Sequence, residues 1–461
     1  MPIADAAVAG NRFGLGARPG ELDRLGSGAR DALAAQLKGP APLVPGSLPA
    51  SHELLAKVFE QRAAGREARE NPSAESVVAI AKTLRDIYLP AYLGDVTARF
   101  RMAVSSERSF VERLVHFWSN HFAVSVDKLQ VLGLAGAMER EAIRPHVLGS
   151  FSGMLLAAEQ HPAMLLYLDN AQSVGPDSRA AKFAGRRGRN VGLNENLGRE
   201  ILELHTLGVD AGYTQDDVRA LASIITGWSI GGNVGRLQGG EPGKFHFRDV
   251  LHEPGAQTLL GKTYRQEGMD QGHAALMDLA HSPHTARHIA TKLARHFISD
   301  DPPPAVVERM TRAWRESRAS LPAVYRSLIG SAEAWDRPLS KFKTPSDYIH
   351  SAYRGLGIPL REKRRSLQGL ETLGQRSFSP GSPAGWPDIS ADWDGSSALL
   401  KRITWADVVA KRMGDARNAR ELAPQLLGGA LSAETTQAIA RAESGAQALT
   451  LLLASPEFMR R

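Results

Sequence analysis

The sequence predicts a mainly α protein, built as one large multi-helical unit with at most a small β-hairpin. Three observations carry this expectation. Apolar residues recur at helical spacing in most stretches where a period can be read, helix-start signals precede several of them, and alternating strand patterns are sparse.

In chain order, residues 29–38, 75–98, 107–122, 134–147 and 195–207 fit amphipathic helices. They are followed by 215–228, 284–298, 304–317, 320–333, 346–356, 397–413, 432–442 and 445–454. Thr214-Gln215-Asp216-Asp217 offers a threonine cap with an acid three residues on, and Ser282-Pro283 places a proline just inside a first turn. The strand candidates are 244–247 and 257–263. Residues 39–75, rich in Pro, Ala and Arg, read as a linker or surface excursion. Residues 171–193, with Arg186-Arg187-Gly188-Arg189, read as a mobile, solvated loop, whereas 374–396 holds Trp386 and Trp393 and is expected to pack. No fixed repeat is present and no boundary stands out, so residues 1–461 are expected to form a single helical domain.

Composition narrows the function classes. The chain of 461 residues is 23% charged and holds no run of the roughly 18 to 20 apolar residues that a membrane span needs. It has no cysteine, which excludes disulfides, thiolate metal sites and cysteine nucleophiles. The net charge of +7 comes from scattered arginines rather than a block, so no nucleic-acid partner is expected. Met1-Pro2-Ile3-Ala4-Asp5 shows neither a basic nor an apolar leader region, and the expected location is cytoplasmic.

The densest polar constellation is Asn194-Glu195-Asn196-Leu197-Gly198-Arg199-Glu200-Ile201-Leu202-Glu203-Leu204-His205. At 100° per residue Asn196, Arg199, Glu200 and Glu203 share an arc of about 100°, while His205 points roughly opposite Asn196. A Glu-x-x-Glu-x-His ligand set therefore loses its histidine on a regular helix. The competing account is a solvated face braced by the Glu195/Arg199 and Arg199/Glu203 pairs.

Other candidates are weaker one by one. Glu112, His116 and Asn120 share a stripe, and His121 lies about 140° from His116, so the two histidines cannot chelate one ion from a regular helix. Asp169-Asn170 ends an apolar run, where it either binds a cation or hydroxyl or caps the chain. His252-Glu253 sits in a turn. His281, His284, His288 and His296 flank or lie on one cationic helix, where His284, His288, Lys292 and Arg295 follow at i, i+4, i+8 and i+11 and read as an anion-facing or acid-pairing stripe. Gly14-Leu15-Gly16 has the wrong spacing for a dinucleotide loop, and no Walker loop or nucleophile elbow occurs.

Together, Phe117-Trp118-Ser119-Asn120-His121-Phe122, Leu168-Asp169-Asn170, the Asn194 to Gly208 segment, Thr226-Gly227-Trp228, 245–252, Ser382-Pro383-Ala384-Gly385-Trp386-Pro387 and the closing 452–458 resemble the bacterial domain of unknown function 1800 family. The resemblance runs from about Asn11 onward. It implies no established activity. It implies weight on the equivalents of Asn120, His121, Glu195, Arg199, Glu200, Glu203 and His252. It also implies a neighbour from the domain of unknown function 1501 family, sulfatase-like and exported, which opens co-export to the periplasm.

Two functions follow as expectations. One is a metal-assisted or acid–base hydrolase with His121, Glu200, Glu203 and His252 catalytic and Asn120, Asp169, Asn196 and Arg199 binding substrate. In its metal form a divalent ion sits on Glu200, Glu203 and His121. The alternative is a non-catalytic helical binding or chaperone-like partner of the exported neighbour, with the His288/Arg295 stripe as its contact face.

Overall fold

The structure is a computed structural model, and it describes residues 5–67, 74–188, 191–232, 238–336, 338–359 and 363–461. It is mainly α, with two small antiparallel strand pairs as its only sheets among the described residues. The expected helices form with ends shifted by a few residues, among them Ser109–His121, Pro283–Phe297, Pro304–Glu316 and Pro345–Leu356. Thr214 and Asp217 make the reciprocal cap their spacing predicts, and the Ser282 hydroxyl accepts from the His284 amide.

Elsewhere the chain departs from expectation. Residues 39–75 contain the helix Ser51–Glu67 and the start of Ala74–Ser105, and 171–193 contains the short helix Arg179–Gly185. Arg189, part of the basic run noted in that loop, lies outside the described residues. The helix expected over 215–228 stops at Ile224, because Gly227 takes φ +83° and turns the chain into β1 (Trp228–Ile230). This strand pairs with β2 (Phe245–Phe247), while β3 (Gln257–Leu259) pairs with β4 (Lys262–Tyr264). The two strand candidates thus belong to separate pairs rather than to one hairpin. No helix among the described residues is long and apolar enough to cross a membrane.

Among the described residues, three helical stretches widen into single π-turns, at Ala9–Phe13, Glu139–Ile143 and Ile201–His205. Among the described residues there are, besides a small third cluster of Ala6, Ala7, Ala17 and Leu22, two large apolar cores. The larger runs from Val8 to Trp335 and the smaller from Phe342 to Met459, with Phe100 of the long Ala74–Ser105 helix reaching into the second.

The helix Ser109–His121 lies where the cores meet. Phe110, Val111, Leu114, Val115 and Trp118 are buried around it, so nearly every side is inside the protein. Its charged residues must then be paired. Glu112 takes both terminal nitrogens of the buried Arg144 at 2.6 and 2.8 Å. Arg113 donates to the Gly14 carbonyl at 2.7 Å and reaches Asp347 of the second core at 3.2 Å. The seam between the cores is therefore polar, and a cavity opens along it.

Candidate functional site

The polar face that dominates the sequence is mostly surface wiring. The helix Asn196–Glu200 is only one turn and a half before the π-turn begins. Arg199 pairs with Glu195 at 3.2 Å and Glu203 at 3.4 Å and donates to Gln215 Oε1 at 2.9 Å, with its side chain 36% exposed. Asn196 is exposed. Glu200 is half-buried, and desolvation, assisted by Glu203 and Glu159, raises its carboxyl above the usual range against the pull of His205 and Arg199.

Asp169 and His252 also lie apart. Asp169, at φ +59° and half-exposed, pairs with Lys128 at 2.7 Å. His252 donates from Nδ1 to the Thr226 carbonyl at 3.0 Å, and the Thr226 hydroxyl takes the Glu253 amide at 2.8 Å, so this dipeptide braces its own turn. Among the described residues no three histidine, aspartate or glutamate side chains are placed to hold a metal ion. The ligand set Glu200, Glu203 and His121 receives no support from the geometry.

Asn120 and His121 sit elsewhere, at the wall of a cavity of about 480 Å³ on the seam between the cores. The helix Ser109–His121 supplies His116, Phe117, Asn120 and His121. Pro283–Phe297 supplies Lys292, Arg295 and His296, while Thr344, Ser346 and Asp347 come from the start of Pro345–Leu356. The loop 382–389 forms the remaining wall. Asn120 holds it by a two-bond clamp, donating from Nδ2 to the Trp386 carbonyl at 2.9 Å and accepting the Trp386 amide at 2.7 Å. Gly385 makes the close approach possible: its φ is +82°, and a Cβ there would meet the Asn120 carbonyl oxygen at 2.3 Å.

His121 is fixed at both nitrogens. Lys292 has only donors, so His121 Nδ1 accepts from its Nζ at 2.9 Å, and Nε2–H donates to the His205 carbonyl at 3.1 Å. Burial first, then the charge of Lys292, holds the imidazole pKa well below its usual value, and the ring is neutral. Burial also lowers Lys292, to about 8, with Asp388 opposing and Arg295 assisting. Behind this pair the fully buried His205 places Nδ1 2.8 Å from Glu159 Oε1, though the contact is poorly aligned as a hydrogen bond.

The two carboxylates facing the cavity are already committed. Asp347 contacts Arg113 and Arg461, the latter at 2.9 Å, and Asp388 contacts His296 at 2.7 Å, Arg461 at 3.4 Å and Lys341 at 3.5 Å. Burial alone would raise both carboxyls, but these partners outweigh it and hold both well below the usual range. His296 donates from Nδ1 to Asp388 and takes Arg113 at Nε2 at 3.5 Å, so it too is neutral, and burial lowers its pKa to about 4. Lys343, buried over the Phe458 ring at 4.5 Å with Nζ lacking a hydrogen-bond partner, is lowered by burial to about 7.

Positive charge is therefore in surplus. Arg295 gives only Nε, to the Asp300 carbonyl at 3.1 Å, and neither it nor Lys292 pairs with a carboxylate among the described residues. The stripe read as anion-facing turns its last two members, Lys292 and Arg295, toward this cavity, while His288 donates to the Leu204 carbonyl at 3.3 Å. The sequence places Lys292 and Arg295 on one stripe, with His296 on the same helix, and Trp386 in a separate loop, but gives no sign of Asp347 and Asp388. The signal available was the stripe's spacing, but its partners lie more than 50 residues away.

A family model described as a protein of unknown function (DUF1800) matches residues 8–460. No curated protein and no solved structure matches the chain.

Proposed function

Because the chain belongs to the DUF1800 family, whose description assigns no activity, we propose a function from the cavity itself: an acid–base enzyme acting on a small anionic substrate. Lys292 and His121 form the acid–base pair, Arg295 seats the anion, and the Asn120-clamped loop 382–389 covers it. One observation carries this reading, the 2.9 Å contact of Lys292 Nζ with a neutral imidazole at the wall of a cavity of about 480 Å³. An acid–base group works best with a pKa near the working pH, and Lys292, at about 8, is placed for that. The acid–base half of the hydrolase expectation is kept, with the working groups moved from Glu200 and Glu203 to Lys292 beside His121.

Small anions supply the test. Acetate, phosphate and sulfate are titrated near pH 7 and thermal unfolding is followed in the full chain and in Arg295→Gln. A ligand at a hundred times its dissociation constant stabilises by about 2.7 kcal/mol. The wild type should respond to at least one anion at tenfold lower concentration than the variant, since general salt effects act on both alike. Equal responses in the two proteins sink the proposal.

A second reading, a helical binding partner of a domain of unknown function 1501 protein, is favoured by Leu400, Ile403 and Val408, which are exposed on one helix, Ser396–Met413. Its proposed basic contact stripe is largely occupied with the cavity, which leaves the enzyme reading ahead.

A further inference from the structure

We infer that Lys292 is a nucleophile that holds a carbonyl substrate as an imine, and that the substrate is a short oxo acid whose carboxylate rests on Arg295. This inference rests on the anion-binding cavity proposed above and names its substrate class.

The setting of Lys292 differs from those of the other two buried lysines on this seam: Lys343 is sealed over the Phe458 ring and does not line the cavity. Lys341 is a structural cation, tied to Asp300 at 2.7 Å and to Asp388 at 3.5 Å. Were Lys341 to lose its proton, two carboxylates would lose a counter-charge. Lys292 meets only the lone pair of His121 Nδ1, so its deprotonation leaves no bare carboxylate behind. The neutral amine keeps an N–H for that nitrogen and turns its own lone pair toward the cavity. At pH 7 a lysine titrating near 8 is about one-tenth free amine, against less than a thousandth for an ordinary lysine.

Arg295 stands three residues on along the same helix. Residues so spaced share a face with roughly 5–6 Å between their Cβ atoms, which puts an amine and a guanidinium side by side at one ligand. Phe117, Trp386 and Pro387 give the cavity its apolar wall, suited to a few carbons. Asn120 is committed to the loop. A molecule offering a carboxylate to Arg295 and an electrophilic carbon to Lys292 uses both cations of the cavity wall that have no carboxylate partner among the described residues.

The step balances without any oxidant or reductant. The Lys292 nitrogen lone pair adds to the carbonyl carbon, and the C=O π electrons move to oxygen. The proton shed by nitrogen passes through His121 Nδ1 to that oxygen, giving a carbinolamine. A second protonation at the same oxygen, and departure of water, let the nitrogen lone pair close the C=N bond. The sum is ammonium plus carbonyl giving protonated imine plus water.

Reductive trapping tests it on the full chain. The protein is incubated at pH 7 with pyruvate, or with acetaldehyde as a neutral carbonyl, together with cyanoborohydride, and labelled peptides are identified by mass spectrometry. Pyruvate should label Lys292 at least tenfold faster than any other lysine. Lys292→Arg should lose that label, and Arg295→Gln should cut pyruvate labelling about tenfold while leaving acetaldehyde labelling in place. Labelling of Lys292 no faster than surface lysines overturns the imine. If pyruvate still raises the unfolding temperature in an Arg295-dependent way, the anion site survives that failure. Selective labelling by both probes that ignores Arg295→Gln retains the nucleophile and overturns the carboxylate seat.

Discussion

Lys292→Met should stabilise the protein at neutral pH while abolishing its chemistry. Burial lowers Lys292 from 10.5 to about 8, which at roughly 1.4 kcal/mol per pKa unit is about 3 kcal/mol against the folded state. The side chain keeps part of its surface open to the cavity, which reduces this to about 2 kcal/mol. Losing the bond to His121 returns about 1 kcal/mol, since water can reach Nδ1 from the cavity. The expected net gain is about 1 kcal/mol, or about 1 °C in unfolding temperature for a chain of this length. The sign has a pH signature. Below pH 8 both states are protonated and the penalty is full, while between 8 and 10.5 the unfolded chain holds more protons and stability rises with pH. The burial penalty should thus shrink to about a quarter by pH 10, and because the bond to His121 is still lost, the advantage of methionine should vanish there. Urea unfolding of both proteins at pH 7 and pH 10 reads this directly. A destabilised variant at pH 7, or a gain identical at both pH values, would refute the placement of Lys292 as a costly, unpaired cation.

Two further outcomes follow from the same seam. His288 and His296 are lowered by burial to about 4 and His350 to about 3, so their stabilising neutrality is complete above pH 6.5 and lost as pH falls toward those values. Each costs about 1 kcal/mol by pH 5.5, and urea midpoints that stay flat from pH 7 to 5.5 would contradict it. Gly385→Ala puts a methyl group against the Asn120 carbonyl at a φ alanine avoids, and should cost about 2–3 kcal/mol through strain and the lost Trp386 clamp. Unchanged stability and tryptophan fluorescence would place the loop elsewhere.

The helices were readable because local periodicity and caps decide them, as at Thr214 and Ser282. β1 was not, since Trp228-Ser229-Ile230 continues an apolar run and only the backbone of Gly227 separates it from the helix before. At the site, Asn120 and His121 were legible from their unusual amide and imidazole at the end of an apolar helix. Their partners were not, because Lys292 and the Trp386 backbone reach them through tertiary packing that no single window contains. The helical wheel misplaced the emphasis for a different reason. It gathered Asn196, Arg199, Glu200 and Glu203 correctly, but a shared face says nothing about what faces it, and here that is largely Gln215, Arg219 and solvent.

The same wheel set His205 aside by assuming an unbroken α register. In the folded chain the π-turn Ile201–His205 carries one residue more than an α-turn would, and the turn buries His205 against Glu159 and points its carbonyl at His121. Deleting a single residue between 201 and 205 would restore the α register and swing everything downstream by about 100°. The carbonyl that orients His121 would then face elsewhere, although no side chain of the cavity had been altered. Chain length in this turn is thus a tighter constraint than side-chain identity, and a variant differing there by one residue would arrive with its imidazole unanchored.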